Sequence, residues 1–562
     1  MGEIVEEDAK NSRKKLQFFE DILPFIGDFG KFQWTLLLSL FPFGIAFVAV
    51  FIAPLLIVAV PQKHWCKINE LMNLNLTQDQ RIKLAIPASS NYPFFERCHR
   101  KKLNFHEIIV ENDFNLKQWE TNETVKCDDW EYDFSLIPYP SIGVEMNWVC
   151  DHEYRIATAQ AVFFIGSLFG NFIFGWIADQ KGRLVALKFC TVFAFIATIG
   201  TANSHNFWIF TLCRFILGFA FDNIITVPII LALEYTAENK RYIITCLGFG
   251  LNLMCGKLFL IWSAYFISDW RIFTYFSSLS FIVCFLLTFI MPESIRWYAS
   301  KGMSDEILKK LRRIAKVNGK NPEAWMYDEL LMNLTHGNKN IENATLLDLR
   351  KTPHLAKNTV LFSLIFALTA VILDTNLYYL HRYEISIFLS FSWTCIETML
   401  AFLLFKLLVN RLGRRFIGSL SLILITIFSF AFVIIKSEIG KIFMASIGRL
   451  GMDLLSFLFI QYTPEFFPTT LRTQGSASIH FLATILHFVT PYIILLSNTW
   501  KELPILIVAI VALLDAILIL FLPETAGKNL RQTLQEGENF CKEKKFWPIL
   551  VFQKLNVRST QK

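Results

Sequence analysis

Five ionisable side chains stand near the middle of stretches that are otherwise apolar: Asp222, Lys257, Glu397, Asp453 and Asp515. His480 and His487 share a further stretch of the same kind. A charge placed in hydrocarbon is costly, so each is a candidate for contact with a solute or for pairing with a neighbour. Lys257 is expected to satisfy Asp222 as a structural ion pair, and Asp515 to hold its own span in place. The residues for making and breaking bonds do not occur in any recognisable pattern. There is no HExxH, no GxSxG, no phosphate-binding glycine loop and no Cys/His cluster with metal-ligand spacing. An enzyme needs a nucleophile with its base, or a metal set. Catalysis, ATP-driven pumping, a bound metal and a cofactor are therefore set aside.

The stretches that carry these charges decide the class. The chain is 54% hydrophobic and 18% charged, with 56 Phe and a mean hydropathy of +0.43. A soluble core of that size would need far more polar surface. Residues 33–60 contain no Asp, Glu, Lys or Arg, and about 20 apolar residues suffice to cross a bilayer. Further spans are expected at about 157–178, 184–202, 207–233, 243–267, 272–291, 358–380, 385–407, 416–435, 442–463, 473–497 and 503–522. That makes twelve, each helical because a bilayer offers its backbone no other partners. The expected organisation is a cytosolic segment 1–32, a six-helix half 33–292 with a large outside loop 61–151, a cytosolic linker 293–357, a second half 358–522 and a cytosolic tail 523–562. Residues 1–31 lack the short apolar core of a signal peptide, and Glu6 stands where a myristoylation signal needs Ser or Thr.

Lys and Arg in short loops set the orientation. Lys181, Arg183, Lys240, Arg241, Arg411, Arg414, Arg415 and Arg472 fall on one side, which is the cytosolic side with both termini. Topology accounts for the net charge of +7, and nucleic acid need not be invoked. The outside block holds Cys66, Cys98, Cys127 and Cys150, with glycosylation sequons at Asn75 and Asn122. Four cysteines facing an oxidising space suggest two disulfides, with three pairings open.

The chain also repeats itself. Gly182-Arg183 recurs as Gly413-Arg414, Glu234 with Arg241 recurs as Glu465 with Arg472, and Pro292-Glu293-Ser294 recurs as Pro523-Glu524-Thr525. Every pair lies 231 residues apart (182 and 413, 234 and 465, 241 and 472, 293 and 524). Three marks in register at helix ends indicate a duplicated six-helix unit, the architecture of major facilitators with a solute site between the halves. The same residues carry a resemblance. The loop from Gly175 through Asp179, Gly182 and Arg183 resembles the signature loop of that superfamily. Arg214 to Gly218 resembles its helix-four motif. Pro292-Glu-Ser-Ile-Arg-Trp297, Tyr462-Thr-Pro-Glu465 with Arg472, and Pro523-Glu-Thr-Ala-Gly-Lys528, together with Trp148-Val-Cys-Asp151, resemble the organic cation, organic anion and carnitine transporters, solute carrier family twenty-two. Leu184, Asn410 and Ile295 depart from the pattern, and Asn410 weakens the charge network of the second loop.

The resemblance implies a plasma-membrane, multi-pass secondary transporter whose partners are a small organic solute and the bilayer. The sequence names no coupling ion. Gly175, Asp179, Gly182, Arg183, Arg214, Glu234, Arg241, Gly413, Arg414, Glu465 and Arg472 are the expected gate residues. Asp179 and Arg183 would pair across a closed interface and part as the halves rock. Asp222, Lys257, Tyr378, Glu397, Asp453 and Thr484 are the expected solute contacts. Glu397 falls where cation carriers have an acid, whereas Thr484 stands where the branches usually carry Asp or Arg and so decides nothing. Three acids (Asp222, Glu397, Asp453) against one base (Lys257) favour amines and quaternary ammonium compounds. A carnitine-like zwitterion or an organic anion is the alternative, and a channel or non-transporting receptor is a weaker one.

Overall fold

The computed structural model describes residues 22–27, 29–72, 76–89, 95–105, 121, 123–236, 240, 244–337, 346–379, 386–468, 471–526, 531 and 533–542. Among these, ten helices are long and apolar enough to cross a membrane, and two further apolar helices are shorter. In chain order the twelve are α1 (Lys31–Val58), α2 (Tyr154–Lys181), α3 (Arg183–Ala202), α4 (Phe207–Glu234), α5 (Asn252–Ile267), α6 (Trp270–Leu287), α7 (Pro353–Tyr379), α8 (Ile387–Leu412), α9 (Arg414–Ile434), α10 (Glu438–Phe466), α11 (Arg472–His487) and α12 (Leu503–Ile519). The short pair is α5 and α12. The window expected at 243–267 is divided, because Ile244–Leu251 winds as a π-helix ahead of α5. Sequon residues Asn75 and Asn122, and Arg241, lie outside the described residues.

Local chemistry starts and stops these helices. The side chains of Asn206, Asp269 and Ser437 accept backbone N–H groups of the first turns of α4, α6 and α10, satisfying donors that a helix N-terminus otherwise leaves unpaired. α2 turns directly into α3 at Gly182, and α8 into α9 at Gly413, with φ of +109° and +84°. Only glycine adopts such a backbone freely. α4 is interrupted between Phe207–Gly218 and Asn223–Glu234, and Asp222 stands at that break.

Two apolar cores form. One is built mainly from α1 to α6 around Phe43, Phe163, Phe210 and Phe273, and it takes in Tyr378, Phe388 and Phe391. The other is built from α7 to α12 around Phe362, Leu455, Leu458 and Tyr462. The two helix sets meet where α2 packs on α11 and α5 packs on α8: Phe172 against Phe481 (5.4 Å), Phe164 against His487 (4.9 Å), and Trp262 Nε1 donating to Ser392 Oγ (3.1 Å).

The loop between α1 and α2 has its own small core of Trp65, Ile68, Leu71, Leu84, Ile86 and Phe105. It contains two antiparallel ribbons, in which β1 (His64–Cys66) pairs with β4 (Trp130–Tyr132) and β2 (His99–Lys101) with β3 (Thr124–Lys126). Of the three pairings open to the four cysteines, the structure has Cys66–Cys127 and Cys98–Cys150. Arg271 of α6 clamps Glu145 of this loop with two hydrogen bonds (2.6 and 2.8 Å). Between α6 and α7, the helix Ser304–Val317 buries Ile307, Leu311, Ile314 and Ala315 against Ile22, Leu23 and Ile26. Asn318 then accepts the Phe32 N–H (2.9 Å) and donates to Ile26 O (3.1 Å) and Gln33 Oε1 (3.2 Å), fastening the segment to the start of α1.

Candidate functional site: the seam between two helix sets

Residues from each of the three marks of the repeat meet in space at the end of the bundle opposite the disulfides. Arg183 forms an ion pair with Glu234, Ser294 Oγ donates to Glu234 Oε2, and Glu293 accepts the backbone N–H groups of Arg183 and Leu184 (both 3.0 Å). The residues 231 positions later build the same cluster. Arg414 holds Glu465 through two hydrogen bonds (3.1 and 2.9 Å), Thr525 Oγ1 donates to Glu465 Oε2 (2.7 Å), and Glu524 accepts the N–H groups of Arg414 and Arg415 (both 2.9 Å). A Cβ at Gly182 would sit 2.5 Å from Glu293 Oε2, and one at Gly413 would sit 3.0 Å from Glu524 Oε2. The glycines thus serve the turn and the carboxylate at once.

Each cluster closes one helix set on itself. The expectation that Asp179 pairs with Arg183 is corrected: Arg183 turns to Glu234 of its own set, while Asp179 is exposed and its carbonyl accepts the Trp297 indole N–H (3.1 Å). Gly175 faces open space on α2, and Arg472 is the first residue of α11. Arg214 does not belong to this end at all. It is buried toward the loop side, where Nη2 donates to Gln160 Oε1 (2.7 Å) and the guanidinium lies over the Phe163 ring (4.3 Å). Gly218 of the same motif lets α4 touch α2, since a Cβ there would lie 2.1 Å from Phe163 O.

On the loop side a cavity of about 490 Å³ is walled by both helix sets. Pro54 and Val58 of α1, Gln160 of α2, Arg214 of α4, Tyr378 of α7 and Phe391 of α8 line it, with Glu96, Arg97 and Asp151 of the loop. Gln160 Nε2 donates to Tyr378 Oη (2.7 Å), so the two sets touch through a hydrogen bond on the cavity floor. Of the expected solute contacts, Tyr378 is the one that lines this cavity.

The remaining expected contacts lie deeper, with different partners from those anticipated. Asp222 is not paired with Lys257. Its Oδ2 accepts from Ser167 Oγ (3.1 Å) and Asn171 Nδ2 (2.6 Å) of α2, and no ion pair joins it to any described Lys or Arg. Lys257 instead lies within electrostatic range of Asp453 on the other helix set, whose Oδ2 accepts from Thr398 Oγ1 (2.8 Å). Glu397 forms an ion pair with Arg449 at 2.9 Å, with 6% and 13% of the side chains exposed. Thr484 is buried and donates to His480 O (2.9 Å). Asp515 is fully buried and accepts from Thr369 Oγ1 (2.9 Å), tying α12 to α7.

The count of three acids against one base is therefore corrected. Arg449 of α10 and Asp374 of α7 are both charged, both interrupt apolar stretches, and both escape a rule that looks only at span midpoints. Asp374 Oδ2 is hydrogen-bonded to His487 Nδ1. Asp222, Asp374, Glu397 and Asp453 thus face Arg214, Lys257, Arg449 and a histidine.

The sequence pattern of the sugar (and other) transporter family matches residues 117–536. The chain is similar to a carcinine transporter of Drosophila melanogaster, 28% identical over 552 residues that cover 94% of this chain and 80% of that protein. It is similar to organic cation transporter 1 of Caenorhabditis elegans, 29% identical over 434 residues covering 75% and 72%. Its fold is that of the inward-open xylose transporter XylE from E. coli, with a TM-score of 0.59 and 14% identity over 90% of this chain and 99% of that one. XylE is a major facilitator superfamily protein.

Proposed function

The chain belongs to the sugar (and other) transporter family, and from that premise we propose that it carries small organic cations across the plasma membrane by alternating access. The observation that carries the sign of the solute is Asp222. It is a half-buried carboxylate at the break of α4, beside the seam, held by two neutral donors and by no described cation. A buried carboxylate is stabilised by a counter-charge, and an amine or quaternary ammonium group supplies one. The names of the similar carcinine and organic cation transporters point the same way. Tyr378 and the aromatic wall would admit the solute from the loop side, with Asp453 and Lys257 facing each other across the lower seam.

In this reading the twelve apolar helices all cross the bilayer as two six-helix halves, 33–292 and 358–522. The Lys- and Arg-rich loops and both termini are cytosolic, and the disulfide-bonded loop is extracellular. The two Arg–Glu clusters keep each half rigid while the seam opens and closes, with Asp179 acting at its cytosolic edge. Asp179→Ala would then slow turnover more than it weakens solute binding.

The test is uptake into oocytes of tetraethylammonium, a zwitterion and an anionic probe. Saturable tetraethylammonium uptake is expected, with Asp222→Asn lowering its efficiency at least about tenfold, equivalent to 1.4 kcal/mol of lost stabilisation. Anion uptake that collapses in the mutant while cation uptake persists would reverse the assignment. Flux that does not saturate would indicate a channel, and no flux of any probe a receptor.

A further inference from the structure

Arg214 is a buried charge that the cation path leaves unused. It is 1% exposed and lines the loop-side cavity. Its described partners are all neutral: Gln160 Oε1 at 2.7 Å, the Val50 carbonyl at 3.5 Å and the face of the Phe163 ring. No described carboxylate forms an ion pair with it, and α1, whose backbone it touches, has no acid between residues 33 and 58. The acids of the cavity wall are placed elsewhere. Asp151 pairs with Lys126 at 2.8 Å, and Glu96 belongs to the loop. Glu153 accepts from Asn498 at 2.8 Å, and it precedes Gln160 by two turns of α2, about 10 Å of helix.

Two more donors in the same wall lack an acceptor. The Trp148 indole N–H is buried and has none among the described residues. Trp148 packs edge-on against Phe210, one turn before Arg214 on α4. Tyr378 Oη accepts from Gln160 Nε2, and no described group accepts its own O–H. A guanidinium withdrawn from water without a counter-charge is costly, and its planar fork matches an oxyanion. An indole N–H has no acceptor capacity at all. We propose that the inner end of this cavity is an anion site, in which Arg214, Trp148 and Tyr378 hold either a free monovalent anion or the carboxylate of a solute. Arg214 belongs to the first helix set and Tyr378 to the second. A bound anion therefore ties the two sets together on the loop side and favours the arrangement in which they approach. The site does not rest on the organic-cation reading; only the uptake arms of its test do.

The full chain, purified in a morpholinoethanesulfonate buffer of fixed ionic strength, is titrated with acetate, with chloride and with 4-(trimethylammonio)butanoate. At least one should raise the thermal midpoint along a saturating curve. Trp148→Phe, which keeps a ring and loses the N–H, and Arg214→Lys, which keeps the charge and loses the fork, should each need at least about tenfold more of it. Uptake into oocytes then names the source. If the anion is free, external acetate or chloride raises tetraethylammonium uptake by the wild type. If the solute supplies it, 4-(trimethylammonio)butanoate is carried at least about tenfold more efficiently than its methyl ester, and Trp148→Phe abolishes the preference. A wild-type midpoint that none of the three raises saturably overturns the site, whether or not the variants fold. So does a rise that is equal in wild type and both variants. Tetraethylammonium uptake without any such rise removes the anion site and leaves the organic-cation reading standing. A saturable rise without tetraethylammonium uptake does the reverse.

Discussion

Arg449 and Glu397 lie 2.9 Å apart with both side chains almost fully enclosed, and an enclosed pair behaves differently from its separate members. Removing one partner strands the other charge, at a cost of about 3–5 kcal/mol, whereas replacing both with neutral groups of similar volume is often close to neutral. Arg449→Met should therefore lower the thermal midpoint of the purified protein well below that of the Arg449→Met/Glu397→Gln double variant. The double variant also separates structure from solute contact. If it carries tetraethylammonium normally, Glu397 serves Arg449 and not the solute. A second pair makes a pH prediction. Hydrogen bonds from Arg271, above all, hold the Glu145 carboxyl below the usual carboxylate range. A depressed acid contributes stability that is complete above its unfolded value of about 4.3 and disappears as pH falls through the folded one. Arg271→Ala should therefore be less stable than wild type at neutral pH and at pH 5, with the gap closing only in stronger acid. A gap that opens as pH falls would contradict the pairing.

The turn between α2 and α3 concentrates two demands on one residue. Gly182 has a φ of +109° and leaves 2.5 Å between a hypothetical Cβ and the Glu293 carboxylate. A non-glycine residue there costs about 1–3 kcal/mol in backbone strain and pushes Glu293 off the N–H groups of Arg183 and Leu184. Gly182→Ala should reduce the maximal uptake rate per molecule at the cell surface more than Gly413→Ala, where the gap is 3.0 Å. Equal effects would deny the carboxylate its part. This element was legible in the sequence because its chemistry is confined to a few residue types, and the 231-residue register repeated it. The helices were legible for a similar reason, since long windows without charge can satisfy their backbones in no other way. The partners of the buried charges were not legible. Helices that are apolar on nearly every face give no periodic signal of which side looks inward, so nothing distinguished Lys257 toward Asp222 from Lys257 toward Asp453. The break in α4 and the π-turn before α5 were hidden too: Gly218 stands at the first, and Gly248 and Gly250 within the second, but a lone glycine in an apolar run marks close helix packing as readily as a departure from the helix.

At the scale of the molecule, the disulfides hold the loop together as one unit. Cys66–Cys127 encloses 61 residues of chain, and closing a loop of that size stabilises by roughly 4 kcal/mol in the chain-entropy account. Paired serines at Cys66 and Cys127 should leave the transporter folded in its helices but poorly delivered to the surface, as surface biotinylation would read. Normal delivery would mean that the loop core holds without its bridge. The Arg271–Glu145 clamp fixes the loop to α6, and Cys98–Cys150 ties its middle to the residues that lead into α2. Yet its Tyr139 rests edge-on against Phe388 of α8, 6.4 Å between ring centres. The loop is therefore riveted to one body and merely leans on the other. In a rocking cycle it would ride with the first and slide over the second, so the rim of that overhang would change shape once per turnover. An antibody fragment raised against the rim would report the phase of the cycle, and by straddling both bodies it would arrest the carrier in the phase it recognises.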